Sequence, residues 1–571
     1  MPKHQIKETA RIYALQNAIL FDGIANAKSV IGKVIGVLQK KGFNPRDIIP
    51  IVNSVVNEVN KIPLEKQISE LEKTAPELLK KEKKERDFSL PKLPNAEMGK
   101  VVTRFPPEPN GYLHIGHAKA AIIDYEYAKK YDGKFILRFD DTNPENAHLE
   151  FYESQKKDLK WLGIEWDKEY CTSNNLEKHY KLANQLIESR NAYICNCSPK
   201  IIKDGRFHGK ECSCRNSTPE KNITLWNDLL SSSNKDMILR LKGNMTSKNT
   251  AMRDPTLFRI IDKPHPLQGD KYWVWPTYDF AGAVEDSISG VTHPFRTKEY
   301  ELRDECYFYI LDLLKLRKPY LLEFARLSID GMPVSKRKIK PLIEGGFVSG
   351  YDDIRLPTLR GLNKRGILPE AIKQFVLTQG ISKVESTATF GLVESANRKI
   401  LDPISKRYFF VINPVKLIVE NAPKLKKSIR LHPVDDKIGM RTIKTDKTFY
   451  VSGEDIKILG IGDIFRLKNL YNVEIKEKND VVLAKYKGDE LIPDSAKIQW
   501  TSDNYIEMDV FIPKTLYKDG KYNPDSLEKA QGFAEEAVAS IKNGEIVQFE
   551  RFGFVKIENI KNHIVGFFAH K

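Results

Sequence analysis

Two histidines stand three residues apart in the stretch "PPEPNGYLHIGHAKAA", which runs from Pro106 to Ala121. The stretch leads into a helix-forming run, and a helix N-terminus attracts anions through its free backbone N–H groups and its dipole. Residues three apart lie near one face of a helix, so His114 and His117 can donate to the same phosphate, while Gly116 leaves room for a nucleotide. On its own, a His-x-x-His pair is more typical of a capped helix with two solvated imidazoles.

A second group of residues, in the segment "CNCSPKIIKDGRFHGKECSC", could bind a metal. It holds two Cys-x-Cys pairs with 14 residues between them, Cys195 with Cys197 and Cys212 with Cys214. Four thiolates are a ligand set for a tetrahedral structural zinc ion, and His208 is a candidate to replace one of them. Since four of the six cysteines lie here, a local metal site is favoured over a disulfide framework. Unmetallated thiols are the alternative.

The elements around the histidines predict where they lie. "KVVTRF" is strand-like, residues 115–131 are helix-like, and "KFILRF" is strand-like again, which together predict a βαβ unit. The histidine stretch then forms the turn at the carboxyl end of the first strand. Open α/β sheets bind their ligands at this edge.

The composition and periodicity of the rest of the chain change at two places. Residues 1 to about 95 are predicted to be helical, because Ile31, Val34, Ile35 and Leu38 share one helical face, as do the valines at 52, 55, 56 and 59. The charged and proline-punctuated run at 80–99 is typical of a solvated linker. After about Leu401, short alternating segments separated by Gly, Pro, Asp and Asn predict an all-β region, either a barrel or a sandwich.

The net charge of the protein indicates a polyanionic partner. With 92 Lys and Arg against 76 Asp and Glu, the formal charge is +16, which would attract nucleic acid. Genomic bias or adaptation to high temperature is an alternative origin of such a composition. No apolar run reaches the roughly 20 residues of a membrane span, and "MPKHQIKETA" lacks the apolar core of a secretory signal. We therefore expect a cytoplasmic protein without a membrane partner.

The full string from Thr103 to Ala121 resembles the first signature of class I aminoacyl-tRNA synthetases, in the form found in the glutamyl/glutaminyl branch. The segment "SIDGMPVSKRKI" is similar to the second signature of that family, the mobile lysine loop. Lys336 stands at the position of its lysine, and Val334 replaces the usual methionine. The resemblance covers essentially the whole chain.

The resemblance implies a reaction and the residues that perform it. The carboxylate of an amino acid attacks the α-phosphate of ATP, magnesium accompanies the nucleotide, and the acyl group then passes to the terminal ribose of tRNA. His114, His117 and Lys336 are the catalytic candidates, which would bind and neutralise the phosphates. The further candidates for ATP binding are Pro107, Glu108, Asn110, Gly111, Gly116, Ser335 and Arg337.

The resemblance also implies an amino-acid site at the strand ends. Asp140 is expected to hold the substrate amino group, and Arg104 and Tyr278 are expected to contact the substrate side chain. Arg296, in "GVTHPFRTKEY", stands where glutamyl enzymes of this branch carry arginine and glutaminyl enzymes carry a non-basic residue. Because glutamate brings two carboxylates, its pocket needs an additional positive charge. The alternative for Arg296 is a surface arginine paired with a glutamate at 299 or 301.

The fold class implied is a multidomain α/β and all-β protein with a Rossmann-type synthetase core. We expect an N-terminal helical module with its linker at 1–95, the first half of the core at 96–171, an inserted acceptor-stem-binding domain with the zinc element at 172–272, the second half of the core at 273–330, a lysine-loop and helical connecting subdomain at 331–400, and a β-barrel anticodon-binding region at 401–571.

The β-rich ending and the helical module most resemble archaeal glutamyl members of the branch. The implied activity is the ligation of L-glutamate to tRNA(Glu) by a monomer, with tRNA(Gln) left open as a further substrate. The alternatives are a glutaminyl-tRNA synthetase and a non-catalytic tRNA-binding relative. Other nucleotidyltransferases with a His-x-x-His motif are much shorter and lack a β-rich ending.

Overall fold

The computed structural model describes residues 2–20, 23–38, 43–78, 90–231, 236–493, 495–560 and 563–571. The chain divides into two compact units, Met1–Asp87 and Phe88–Lys571. Within the described ranges, none of the helices combines the length and the apolar character that crossing a membrane requires.

The first unit is helical, as predicted. It consists of α1 (Pro2–Leu20), α2 (Ala27–Leu38), α3 (Pro45–Val59) and α4 (Leu64–Thr74). The valines at 52, 55, 56 and 59 are all buried, and so are Val34 and Leu38, while Ile31 and Ile35 are half-buried against the same core. The helical spacing of apolar residues therefore identified the faces that pack together.

The structure describes only the second part of the predicted linker, and that part differs from the prediction. Residues 79–89, which carry most of its charge, lie outside the described residues. The part from residue 90 onward does not behave as a solvated tether, because Leu90 and Leu93 are buried in the core of the second unit. The backbone N–H of Leu93 also donates to the Tyr131 hydroxyl at 2.8 Å. Two leucines on a proline-rich segment are enough to fix it to the surface of the α/β core.

The second unit begins with the elements that carry the candidate site. Its strands as far as residue 403 are β1 (Val102–Phe105), β2 (Lys134–Phe139), β3 (Lys168–Cys171), β4 (Ala192–Cys195), β5 (Ile238–Leu241), β6 (Thr256–Ile260), β7 (Val274–Pro276), β8 (Phe295–Thr297), β9 (Leu322–Phe324), β10 (Leu327–Ile329) and β11 (Ser386–Ala388). Its helices are α5 (Ile115–Lys130), α6 (Leu149–Trp161), α7 (Leu176–Glu188), α8 (Pro199–His208), α9 (Pro219–Ser231), α10 (Tyr278–Ile288), α11 (Asp304–Leu313), α12 (Lys336–Glu344), α13 (Leu359–Arg365), α14 (Pro369–Gln379) and α15 (Gly391–Leu401).

The predicted βαβ unit is present as β1, α5 and β2. Strands β1, β2 and β3 form a parallel sheet in that order, with Arg104 beside Ile136 and Arg138 beside Tyr170. The pair β8 and β9 is also parallel, and it lies next to β1 because the Thr292 N–H donates to the Val102 carbonyl. All residues of β2 after Lys134 are buried, as expected for a parallel strand covered on both faces.

Two further layers follow in the sequence. Strands β4 to β7 form an antiparallel sheet in chain order, which shares a separate core with α7, α9, α10 and α11. From residue 405 onward the chain is almost entirely strands, as predicted. These are β12 (Arg407–Tyr408), β13 (Phe410–Ile412), β14 (Pro414–Glu420), β15 (Leu425–Arg430), β16 (Met440–Thr445), β17 (Thr448–Ser452), β18 (Ile464–Leu467), β19 (Asn472–Lys478), β20 (Val481–Tyr486), β21 (Lys497–Ile498), β22 (Trp500–Ser502), β23 (Tyr505–Pro513), β24 (Tyr517–Lys518), β25 (Lys521–Tyr522), β26 (Leu527–Glu535), β27 (Ile546–Phe549), β28 (Gly553–Ile560) and β29 (His563–His570), with one short helix α16 (Gly453–Lys457).

These strands build two seven-stranded, barrel-like sheets. One has the order β21-β18-β19-β20-β14-β17-β22, and the other has the order β12-β27-β28-β29-β23-β26-β13. Each sheet encloses its own apolar core. Strands such as β16 alternate strictly between exposed and buried residues, which is the pattern of a half-buried strand.

Candidate active site

The two histidines sit at the start of α5, directly after the turn that follows β1. His114 is the N-cap residue of α5, and its Nδ1 accepts hydrogen bonds from the backbone N–H groups of Gly116 at 3.1 Å and His117 at 3.4 Å. In return, Nδ1 of His117 accepts from the backbone N–H of His114 at 3.3 Å. This reciprocal capping box fixes both rings, whose centroids are 3.8 Å apart in a stacked arrangement.

Both imidazoles are neutral near pH 7. Burial is the largest cause of a decrease in the pKa of His114 to well below its usual value and in that of His117 to about 4. The positive charge of Arg326 lowers both pKa values further. Because Nδ1 accepts hydrogen bonds in each ring, the proton is on Nε2. The rings therefore offer a phosphate two N–H donors, and a cation has to come from elsewhere.

Lys336 provides that cation and joins the two signatures. It is the first residue of α12, with Ser335 as N-cap, and its Nζ donates to the carbonyl of Asn110 in the first signature. Partial burial lowers its pKa, while the nearby carboxylate of Glu108 acts in the opposite direction. A Cβ atom on Gly111 would lie 3.5 Å from Cδ of Lys336. The lysine side chain thus lies across the glycine of the Asn-Gly turn.

Gly116 is required by close packing on both sides. A Cβ atom there would lie 2.9 Å from Cε1 of His114 and 3.3 Å from Cγ1 of Val334. Val334, the residue that replaces the usual methionine, therefore contacts the histidine turn. The remaining candidates for ATP binding lie around this point: the carbonyl of Pro107 accepts from the Asp140 N–H at 3.0 Å, and Arg337 is exposed on the first turn of α12.

Arg326 is a candidate that sequence reasoning missed. It lies between β9 and β10, where its charge acts on both histidines. Its guanidinium donates to the Val334 carbonyl at 3.4 Å and to Glu299 at 3.0 Å. A single exposed arginine between two short strands carries no signal in the sequence.

Arg104, predicted to contact the substrate side chain, is held in a buried network. Its Nε and one terminal nitrogen donate to the two carboxylate oxygens of Asp286 at 2.9 and 3.2 Å, and its other terminal nitrogen donates to the Phe295 carbonyl at 2.7 Å. The side chain is 4% exposed. The structure therefore shows that Asp286, a residue that the sequence did not indicate, holds Arg104 in place.

Asp140, predicted to hold the substrate amino group, belongs to the same network. Arg138 donates to its two oxygens at 2.8 and 3.3 Å and to Asp286 at 2.7 Å, and the Thr172 hydroxyl donates to Asp140 at 2.8 Å. The Asp140 side chain remains 19% exposed, whereas that of Arg138 is 1% exposed. Asp140 is thus the most exposed member of the network.

Tyr278 and Arg296 are the other two residues predicted for the amino-acid site. Desolvation raises the pKa of Tyr278 to about 12, and the positive charges of Arg296 and Arg104 oppose this increase. Because both charges act on the Tyr278 hydroxyl, the three predicted residues lie near one another. The Tyr278 ring also lies 4.8 Å from that of Tyr300, between ring centroids.

Arg296 is not the surface arginine of the alternative interpretation. It is 7% exposed, pairs with Asp304, lies 4.0 Å from a carboxylate oxygen of Glu323, and contacts the Tyr307 ring with its guanidinium. Glutamates 299 and 301 pair with other cations. Nε of Arg296 is buried and makes no hydrogen bond to any part of the chain that the structure describes. A buried arginine with an unused donor is suited to a carboxylate ligand.

The four cysteines meet at one point in the β4 to β7 layer. Their sulfurs all lie within 4.8 Å of one another, with Cys195 3.9 Å from Cys212 and Cys197 3.8 Å from Cys214. Tetrahedral zinc with Zn–S bonds of about 2.3 Å separates its sulfurs by about 3.8 Å, so the four residues fit this ion. His208, the predicted substitute ligand, is outside this group and faces Asp204 at 3.4 Å.

Comparisons with known proteins match most of the chain to one group of enzymes. The family described as "tRNA synthetases class I (E and Q), catalytic domain" matches residues 100–403. The anti-codon binding domain of the same group matches residues 405–487, and a second such domain matches residues 497–558. A solved glutamate tRNA ligase from Elizabethkingia meningosepticum shares 20% identity with a TM-score of 0.41, covering 54% of this chain and 70% of that one.

Two archaeal proteins are similar over their whole length. A protein named Glutamate--tRNA ligase from Nitrosopumilus maritimus is 44% identical, covering 99% of this chain and 100% of that protein. A protein of the same name from Pyrococcus furiosus is 42% identical with the same coverage of both chains. With the catalytic and anticodon-binding matches, this likeness shows that the chain belongs to the class I tRNA synthetases of the E and Q group.

Proposed function

We propose that this synthetase joins L-glutamate to tRNA(Glu) through a glutamyl-adenylate. The observation that carries the proposal is the pair of buried guanidinium groups, Arg104 and Arg296, that act together on Tyr278. The names of the two archaeal relatives support the same amino acid. Glutamine would place a neutral amide where two positive charges lie, which leaves charged donors without a carboxylate.

The reaction is an attack of the substrate α-carboxylate on the α-phosphate of ATP. The protein supplies no nucleophile. It stabilises the charge that develops on the phosphates as pyrophosphate leaves. His114 and His117 donate neutral N–H groups from Nε2, and Lys336 adds a positive charge from the start of α12, beside the Asn-Gly turn. Magnesium accompanying ATP would supply further neutralisation of the phosphate charge.

The amino acid is bound across the ends of the parallel strands. Asp140, whose side chain is partly exposed, accepts a hydrogen bond from the substrate ammonium, and Arg104, Tyr278 and Arg296 bind the side-chain carboxylate. Because Arg104 is already paired with Asp286 and Arg296 with Asp304, the choice of amino acid depends on the N–H donors that these pairs leave free. A second carboxylate oxygen of glutamate can accept from them, whereas the NH2 group of glutamine cannot. The alternative amino acid, glutamine, is therefore disfavoured.

The tRNA is bound along the second unit. Residues after about 401 carry the anticodon-binding matches, and we assign anticodon recognition to them. The inserted layer around β4 to β7 faces the acceptor end, and Cys195, Cys197, Cys212 and Cys214 hold a structural zinc ion there. We propose a cytoplasmic monomer, with tRNA(Gln) as a further substrate to be tested beside tRNA(Glu).

Parallel aminoacylation tests the proposal. Purified total tRNA is incubated with the protein, ATP and magnesium, and with either labelled glutamate or labelled glutamine, and the charged tRNA species are then identified. We expect glutamate on tRNA(Glu) and little charging with glutamine. Charging with glutamine alone would support the glutaminyl alternative, and charging with neither would support a non-catalytic tRNA-binding relative.

A further inference from the structure

Four side chains of alternating charge, three of them buried and Asp140 partly exposed, connect the two ends of the proposed amino-acid site. Asp286 accepts from Arg104 at 2.9 and 3.2 Å and from Arg138 at 2.7 Å, and Arg138 donates in turn to Asp140 at 2.8 and 3.3 Å. Both Asp286 and Arg138 are 1% exposed. Arg104 and Asp140, assigned to opposite ends of the substrate, are therefore joined by two residues that do not reach the solvent.

Asp286 is fully used by the protein and cannot bind substrate. Its two oxygens accept two bonds from Arg104, one from Arg138, and one from the Tyr307 hydroxyl at 3.2 Å. A carboxylate offers about four acceptor positions, so this set saturates it. Asp286 acts on the reaction through its neighbours.

Arg104, in contrast, keeps donors for a ligand. A guanidinium has five N–H bonds, and Arg104 uses three of them, two with Asp286 and one with the Phe295 carbonyl. Because these three fix the plane of the guanidinium, the direction of the two remaining N–H groups is also fixed. The orientation that a substrate carboxylate meets is thus set by Asp286.

Asp286 also separates two buried cations. Arg104 and Arg138 would otherwise face each other in a region without solvent, where unpaired like charges are strongly unfavourable. The attraction of both guanidinium groups keeps the pKa of Asp286 below its usual value despite the burial that opposes ionisation. Its negative charge is therefore present at neutral pH, and it is shared between the two arginines.

We propose that Asp286 is a positioning residue that sets the preference for glutamate. It orients Arg104 toward the side-chain carboxylate and, through Arg138, holds Asp140 at the ammonium end. The inference rests on the proposed function, since it takes glutamate as the substrate. It assigns selectivity to a residue that touches neither the amino acid nor ATP.

The test is the isosteric variant Asp286→Asn, assayed in aminoacylation at saturating tRNA. We expect the KM for glutamate to rise by at least about tenfold and the preference for glutamate over glutamine to fall by about tenfold, because the orienting charge is lost. The KM for ATP should stay within about twofold, since the histidine turn and Lys336 are held by other contacts. Equal effects on both KM values, or an unchanged preference, would overturn the proposal.

A control and a milder variant keep the test decisive. Arg441 and Glu535 form a comparable ion pair in the C-terminal sheets, 2% and 1% exposed, so Glu535→Gln should lower thermal stability without changing the KM for glutamate. If Asp286→Asn does not fold, Tyr307→Phe removes one bond to Asp286 and keeps the ring against Arg296. It should raise the KM for glutamate by about two- to fivefold, and no change would overturn the proposal.

Failure of the proposed function would be visible separately. It would appear in the unmodified protein as charging with glutamine instead of glutamate. The role of Asp286 would then be judged from the KM of the amino acid that is charged, again against the KM for ATP.

Discussion

The proposed ATP side and the proposed amino-acid side of the site are held in different ways. On the ATP side, His114 and His117 are fixed by backbone N–H groups within one turn, and Lys336 reaches a backbone carbonyl. On the amino-acid side, Arg104 is fixed by Asp286, which lies 182 residues away in the chain. The comparison shows that the histidine turn of the proposed ATP site is fixed by its own backbone, whereas Lys336 and the residues of the proposed amino-acid site are brought together by contacts between distant parts of the chain.

The largest effect is expected on the amino-acid side, from Arg296→Cys. The change should lower kcat/KM for glutamate. The corresponding loss of transition-state stabilisation is about 2 to 5 kcal/mol, because the side-chain carboxylate loses a buried charged partner. The KM for ATP should remain close to that of the unmodified protein. Steady-state aminoacylation with each substrate varied in turn checks this, and an unchanged use of glutamate would remove Arg296 from the site.

Lys336→Ala should produce the corresponding effect on the ATP side. The activation free energy of adenylate formation is expected to rise by about 2 to 4 kcal/mol, since the main cation near the phosphates is removed. His117→Ala should raise it within the same range, and tRNA affinity should hardly change. ATP–pyrophosphate exchange, with tRNA added if activation requires it, measures this step. Normal activation in both variants would contradict the division between the two sides.

Variants of the cysteine cluster test whether this third region binds zinc independently of the proposed ATP side and amino-acid side. Elemental analysis should find about one zinc per chain, and Cys212→Ser should lose it, because three thiolates do not complete the tetrahedral set. A matched change at Cys306, which is buried outside the cluster, should leave the zinc content unchanged. A zinc-free protein with full activity would remove the metal from the account.

The smallest effect concerns pH and the neutral histidines. The pKa of His117 is about 4 in the folded protein, below its usual value of 6.5, so the unfolded chain binds more protons between these values. The free energy of unfolding should therefore decrease as the pH falls from about 6.5 to about 4. His117→Gln should show a shallower decrease over this window in denaturant titrations. Equal slopes would mean that His117 is not buried in a neutral form.

Sequence reasoning succeeded where the signal is local. The βαβ unit, the helical faces of the first unit and the β-rich ending follow from periodicity, and the two signatures lie in continuous stretches. Four cysteines within 20 residues likewise indicated their own cluster. In each of these cases the signal lies within a short continuous stretch of the chain.

The parts that could not be predicted depend on long-range contacts. Asp286 lies in a helix whose sequence suggests only an acidic turn, and Arg138 reaches it across 148 residues. Arg326 and Asp304 have no pattern that links them to the site. The strand order of the C-terminal sheets, in which residues near 411 pair with residues near 533, is equally invisible in a single sequence.

The most direct test of the central claim is the ratio of kcat/KM for glutamate to kcat/KM for glutamine, measured with the unmodified protein and a single tRNA(Glu) preparation. Two buried arginines predict a preference for glutamate of at least about a hundredfold, because glutamine leaves a charged donor unpaired. A ratio near one, or a preference for glutamine, would contradict the account.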